Sequence, residues 1–354
     1  MANSQPTTLE SGGKGSGQAI FPLWWGIAAC LAIMGVILLL APYSIHINFV
    51  EDKGSSWYFW QLPDPTFWTH FTAWAGYAFH QVTIWGIIYA AQRQNLKYTK
   101  GLHPINAIAL GTNLFFVALH ILQTKIWYDG LAPDVPLASS MGSVILMLVM
   151  IMIMEHQRRG LLLGQPVPIP FIKDVGRVLR EYHGYYFAWA IIYTFWFHPI
   201  ETTLGHLVGT LYVLLLLLQG SLFYTRNHLN RWWTLALETI VVIHAVLVAL
   251  MTADQGIEQA AKFLFAFAAI FIITQMHGVS FKLWQRYTFL LLWIAGVLWF
   301  YHDRWELAIR ILKAPMMEYT LVLLLTALIW LVFLFPQRLL RRYQKITEEN
   351  EDIG

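Results

Sequence analysis

The chain has 354 residues, 57% of them hydrophobic and 12% charged, with a mean hydropathy of +0.52 and a formal net charge of +3. A soluble domain carries about 25% charged residues, so this composition leaves too little polar surface to face water, and the small net charge argues against a nucleic-acid binder. One cysteine, Cys30, excludes an intramolecular disulfide.

Residues 1–20 are polar and rich in Gly, Ser and Thr. They lack the basic start and apolar core of a secretory signal and read as a disordered cytoplasmic tail. A membrane-spanning helix needs about 20 mostly apolar residues. Ten segments meet or approach that requirement: 21–43, 66–91, 104–127, 138–157, 182–198, 202–224, 232–252, 258–279, 285–301 and 317–337. The expected fold is therefore all-α, a polytopic integral membrane helix bundle. The stretch from Glu51 to Pro65, with Trp57, Tyr58, Phe59 and Trp60, is too polar to span and reads as interfacial.

The first four helices (21–157) are separated from the last six (182–337) by 158–181, where Pro166, Pro168 and Pro170 alternate. Proline fixes φ and cannot continue a helix, so the segment reads as an extended, Pro-rich cytoplasmic linker. Residues 338–354, basic and then acidic, read as a second cytoplasmic tail. With both termini inside, 17 of the 23 Lys and Arg residues fall in inner loops or tails. That asymmetry sets the expected orientation and a multi-pass location in a bacterial inner or plasma membrane.

A weak four-helix internal repeat is visible. Thr69-His70 echoes Gly205-His206, Ala109–Thr112 with His120 echoes Ala236–Thr239 with His244, and Glu155-His156 echoes Met276-His277. Membrane proteins often carry such repeats.

Thirteen histidines fall mostly within or beside these segments. A buried imidazole is costly unless partnered, so intramembrane ionisable residues are functional candidates. The expected topology places His70, His198 and His206 near the outer face, with His120 and His244 deeper and His80 at mid-span. His103, His156, His183, His228 and His277 lie at the inner face, where histidine also suits a helix C-terminus; His46 and His302 lie in outer loops. Neutral imidazole ligates metals and haem, and bundles hold cofactors through inward side chains on facing helices. The candidates for haem b are therefore His70 or His80 opposite His120, and His206 opposite His244. A metal ion is the alternative there, and His198, Glu201 and His206 form a second candidate metal set. Glu201 also fits as a cap for the following helix. Glu238, the deepest acid by this assignment of spans, reads as a proton carrier or as a hydrogen-bonded partner within the bundle. Asn113, Gln81, Gln123, Gln219 and Gln275 read as interhelical glue, and Gly205 with Gly209 as a close-approach step.

There is no Gly-rich phosphate loop, GxSxG elbow or HExxH pair. Nor is there a CxxCH attachment, or an HxxxH or HxxHH box. Three functions fit these residues. The leading expectation is a membrane redox or electron-transfer protein using haem b or a metal ion, with a quinone or redox protein as partner. The second is a proton-coupled transporter with Glu238, His80 and His244 on its path. The third is a non-catalytic or pigment-binding subunit of a larger membrane complex. All three are in contact with the lipid bilayer, and none involves nucleic acid.

Overall fold

The computed structural model describes residues 23–44, 58–165, 167–251, 256–275 and 281–337. Among them are ten α-helices: α1 Leu23–Leu39, α2 Phe67–Arg93, α3 Pro104–Ile126, α4 Leu137–Arg159, α5 Pro170–Phe197, α6 Leu204–Ser221, α7 Arg231–Met251, α8 Gly256–Ile270, α9 Leu283–Phe300 and α10 Trp305–Ile329. α8 runs into a π-helical turn, Phe271–Gln275, and α10 into another, Trp330–Leu334. Each helix coincides with one of the ten apolar segments. Seven are long and apolar enough to cross a membrane. Of the other three, α1 is shorter at 17 residues, α2 carries His70, His80 and Gln81, and α5 carries a charged first half.

Two boundaries differ from the sequence reading. α5 begins at Pro170, so 170–181 is helix and the linker shrinks to the ten residues between Arg159 and Pro170. Pro170 stands at the start of the helix, where proline's fixed φ suits it and its missing N–H costs nothing. The turns that follow carry Lys173, Asp174, Arg177 and Arg180, yet Ile172, Val175 and Leu179 form a buried stripe at helical spacing against α4. Likewise α10 begins at Trp305, not 317, with Pro315 inside it. Its early turns are charged on one face only, while Ala308, Ile311 and Pro315 face the bundle. The tails 1–20 and 338–354, and with them His46, Trp57, Pro166 and His277, lie outside the described residues.

The largest core cluster joins α1, α2, α3, α5, α6 and α7 around Trp196, Phe197, Leu131 and Ile192. A second joins α4, α5 and α10 through Val149, Ile153, Ile172, Val175 and Val322. A third lies among α8, α9 and α10. Many large side chains point away from these cores, including Phe79, Val82, Leu114, Phe115, Leu291, Leu292 and Leu324. An apolar exterior on this scale is compatible with lipid contact.

Antiparallel connections give the bundle two ends. At one, called here the His198 end, the α3–α4 and α5–α6 loops meet. Leu131 donates its N–H to Trp196 O (2.9 Å) and Ile200 donates to Thr124 Oγ1 (3.2 Å). Gly130 lies so close to the Trp196 and Phe197 carbonyls that any Cβ there would collide with backbone. At the other, the Arg159 end, the α2–α3 and α6–α7 loops pair as a short bridge. Thr99 donates to Tyr224 O (3.1 Å) and Arg226 to Thr99 O (2.8 Å).

Candidate functional site

His80 on α2 is fully buried, and the direction of each of its hydrogen bonds is fixed by its partners. The Trp196 indole, which can only donate, reaches Nδ1 at 3.3 Å, so the ring proton is on Nε2 and goes to Asn113 Oδ1 at 2.7 Å. Asn113 Nδ2 then donates to Ser221 Oγ (2.8 Å), and Ser221 donates to Leu217 O (2.8 Å). Phe116 stacks on the imidazole at 4.3 Å. The network ties α2, α3, α5 and α6 together and leaves neither ring nitrogen for a metal or haem. It is the helix-to-helix bonding that a desolvated imidazole requires.

His120 on α3 is also fully buried with both nitrogens engaged. Nδ1 faces Gln123 Oε1 at 3.1 Å and Nε2 faces the His198 carbonyl at 3.0 Å. Gln123 donates its amide to Asp129 O at 2.8 Å, which fixes its carbonyl toward the imidazole. Both neighbours of the ring are therefore acceptors: a neutral ring satisfies one of them and a protonated ring satisfies both. Phe195 and Trp196 enclose it.

Around this core the His198 end gathers further polar groups. His198 Nδ1 meets Tyr58 Oη at 3.0 Å, and its ring lies 5.6 Å from that of His206. His206, in the first turn of α6, pairs through Nδ1 with Thr203 Oγ1 at 2.8 Å and packs edge-on against Trp60. Thr203 caps α6 by accepting from the His206 N–H. Glu201, expected as a cap, accepts only a long bond from Thr202 N (3.4 Å) and turns its carboxylate toward the hydroxyl of Tyr128. Tyr128 itself has φ +67° and is buried; burial, then Glu201, hold its phenol well above the usual range. Asp129 accepts Leu62 N–H at 3.1 Å, and burial pushes its carboxyl up to about 6 despite that bond and the nearby His70.

The candidates of the sequence analysis divide accordingly. His70 is half-exposed and hydrogen-bonded through Nδ1 to Asp134 (2.8 Å), which also accepts from Trp74, so it sits in a surface polar cluster. His80 and His120 are brought together within the bundle, each with its nitrogens occupied. His198, His206 and His244 gather in another group, all within electrostatic reach of one another. Glu201 stands apart with Tyr128. Among the described residues no three His, Cys, Asp or Glu side chains converge as a metal site.

His244 lies on the seam between α6 and α7. A Cβ at Gly209 would stand 2.8 Å from His244 Cε1, and one at Gly205 would touch Met251 and Val248. The small residues let the two helices lie directly against each other. A haem clasped between His206 and His244 does not fit this packing, because a porphyrin would have to separate the helices. His244 Nδ1 is buried without a hydrogen-bond partner among the described residues. The polar contact on another helix that the cost of burial leads one to expect for this ring is therefore not made at that nitrogen. Further along the seam Tyr212 on α6 lies within electrostatic reach of Glu238 on α7. Glu238 is held bidentately by Arg159 Nη1 of α4, at 2.8 and 2.9 Å.

At the Arg159 end the histidines serve the backbone. His103 Nε2 reaches Lys97 O, His156 Nε2 accepts the Val167 N–H at 3.0 Å, and His183 and His228 donate Nδ1–H to Arg180 O and Gln219 O. Sequence reasoning missed Tyr58, Thr203, Tyr128 and Trp196 as partners of the site. The polar, aromatic segment 58–62 and the buried run 195–197 carried a signal for them only through contacts made across the fold. No family model, curated protein or solved structure matches this chain.

Proposed function

We propose that the chain is a multi-pass integral membrane protein, both termini cytoplasmic, that conducts protons along the α6–α7 seam as part of a proton-coupled transport cycle. One observation carries this reading: ionisable and hydroxylic side chains follow one another along that seam in antiparallel register. Arg159 and Glu238 stand at one end, followed by Tyr212, then His244 against Gly209, then His206, His198 and Tyr58. Glu238 and His244 are six residues apart on α7, as are His206 and Tyr212 on α6, so groups on the same helix are about 9 Å of rise apart and those of the two helices alternate along the seam. Intramembrane chains of His and acid residues are the usual composition of proton relays. The Glu238–Arg159 pair would act as the gate, since taking up a proton on Glu238 releases the guanidinium.

The test uses protein reconstituted in vesicles, with a pH dye inside and an imposed potassium diffusion potential. Wild-type vesicles should show proton flux well above empty ones, and Glu238→Gln and His206→Ala should each reduce it at least tenfold. Equal flux in wild-type, variant and empty vesicles would rule the seam out as a path.

A second reading, redox chemistry at a bound metal ion with a quinone or redox protein as electron partner, is favoured by a different detail. His198 and His206 each fix Nδ1 on a hydroxyl, leaving Nε2 without a hydrogen-bond partner among the described residues. That is how the outer nitrogen of a ligating histidine is commonly held. Metal analysis of the purified protein with His198→Ala and His206→Ala separates the two readings. Bound metal or a visible chromophore lost in both variants supports redox chemistry, and proton flux in metal-free protein supports transport.

A further inference from the structure

Away from the α6–α7 seam, α10 presents one stripe to the bundle: Ala308, Ile311, Pro315, Glu318, Val322 and Thr326. Five of these six suit a buried helix face, Thr326 returning its hydroxyl to the Val322 carbonyl. Glu318 does not. It is 3% exposed, and neither carboxyl oxygen has a hydrogen-bond or ion-pair partner among the described residues. The helical run Trp305–Gln337 is 33 residues long, and Glu318 lies 13 residues, or about 20 Å, from its start. α10 packs against α8, α4 and α5. Their charged and imidazole groups are Glu258 and Lys262 of α8, Glu155, His156, Arg158 and Arg159 of α4, and Lys173, Asp174, Arg177, Arg180, Glu181 and His183 of α5, and among the described residues none of them forms an ion pair with Glu318. Its electrostatic neighbour is Tyr319, next in the chain. A second observation lies on the same stripe. Pro315, about one turn below Glu318, has no N–H to return to the Ile311 carbonyl, so a backbone acceptor about two turns below Glu318 loses its helical bond.

We propose that Glu318 is a cation-binding carboxyl inside the bundle, that the cation is a proton, and that the acid is therefore a site of covalent modification by apolar carbodiimides. A carboxylate with no partner in this place is not supported by any charge, hydrogen bond or water-facing surface, and burying the neutral acid unbonded costs far less than burying the unpaired charge. Carbodiimide chemistry reads this state directly. The acid's O–H adds across one C=N bond, the oxygen bonding to carbon and the proton moving to nitrogen. The O-acylisourea then rearranges to a stable N-acylurea with nothing leaving.

The experiment treats the purified full-length protein in detergent with dicyclohexylcarbodiimide at pH 8 and locates adducts by peptide mass spectrometry. The Glu318 peptide should be modified at least tenfold more than the peptide bearing exposed Glu306 of the same helix. Glu318→Gln should lose the adduct. Glu238→Gln should be labelled at Glu318 like the wild type, which keeps this inference separate from the proton path along α6 and α7. Absence of label at Glu318 while Glu306 reacts would overturn the proposal. Protection of Glu318 by sodium ions at constant pH would overturn the assignment of the cation as a proton.

Discussion

Every hydrogen bond around His80 has one permitted direction, from Trp196 into the ring and from the ring through Asn113 and Ser221 to a backbone carbonyl. Removing the ring strands a buried indole N–H and a buried amide oxygen. His80→Ala should therefore cost about 2–4 kcal/mol of stability, read as a lowered melting midpoint in detergent. A double-mutant cycle with Asn113→Ala should show coupling; strict additivity would mean that the two side chains do not share a network. Asp129 responds to pH. Its folded-state pKa, about 6, lies above the usual 3.8, so the folded state holds the proton more tightly. Stability should rise as pH falls from above 6 toward 4, and the ionised carboxylate should weaken the fold above pH 6. Asp129→Asn keeps an acceptor for Leu62 and removes the charge. It should stabilise the fold at pH 8 by roughly 1–3 kcal/mol, read as a raised melting midpoint, and change stability little at pH 4. A variant with the wild-type pH dependence would assign the titration to another group.

At the scale of helices, close approach is set by glycine. A Cβ on Gly76 of α2 would overlap the Trp196 ring of α5, and one on Gly209 would press on the His244 ring. Gly76→Ala should destabilise by about 1–3 kcal/mol through overpacking. Gly86, with open space around it, should accept alanine without loss and serves as the control. The early start of α5 makes a separate prediction. Amides of 173–181 should exchange slowly with solvent deuterium, because they are hydrogen-bonded in a helix whose apolar stripe lies on α4. Rapid exchange there would restore the extended linker.

For the whole molecule, the distribution of Lys and Arg sets the expected orientation. Single cysteines in a Cys30→Ser background offer the measurement. A probe at Asp134, in the loop at the His198 end, should react with a membrane-impermeant maleimide added from outside. One at Arg177, exposed in the first turns of α5 at the opposite end, should react only after the membrane is opened. Labelling at Arg177 from outside would invert the bundle and exchange the entry and exit of the α6–α7 seam.

Ten apolar segments predicted ten helices because spanning length and continuous hydrophobicity are properties of single segments. The same criterion misplaced the starts of α5 and α10, since an amphipathic turn with charges on its outer face has low average hydropathy and still buries a stripe. That error hid Glu318: a helix begun at 317 puts it at an end, and one begun at Trp305 puts it deep inside. The histidines were legible as a set whose burial demands partners, but not in their roles. His80 and His120 are neighbours with filled nitrogens, while His198, His206 and His244 form a different group. Partner choice depends on contacts between residues as far apart as Tyr58 and His198, or Arg159 and Glu238. Composition and periodicity determine which segments become buried helices. Which polar atoms meet inside them was decided only by the packing of α2, α3, α5, α6 and α7, where a Gly–Trp or Gly–His contact sets the separation of two helices and with it every hydrogen bond across them.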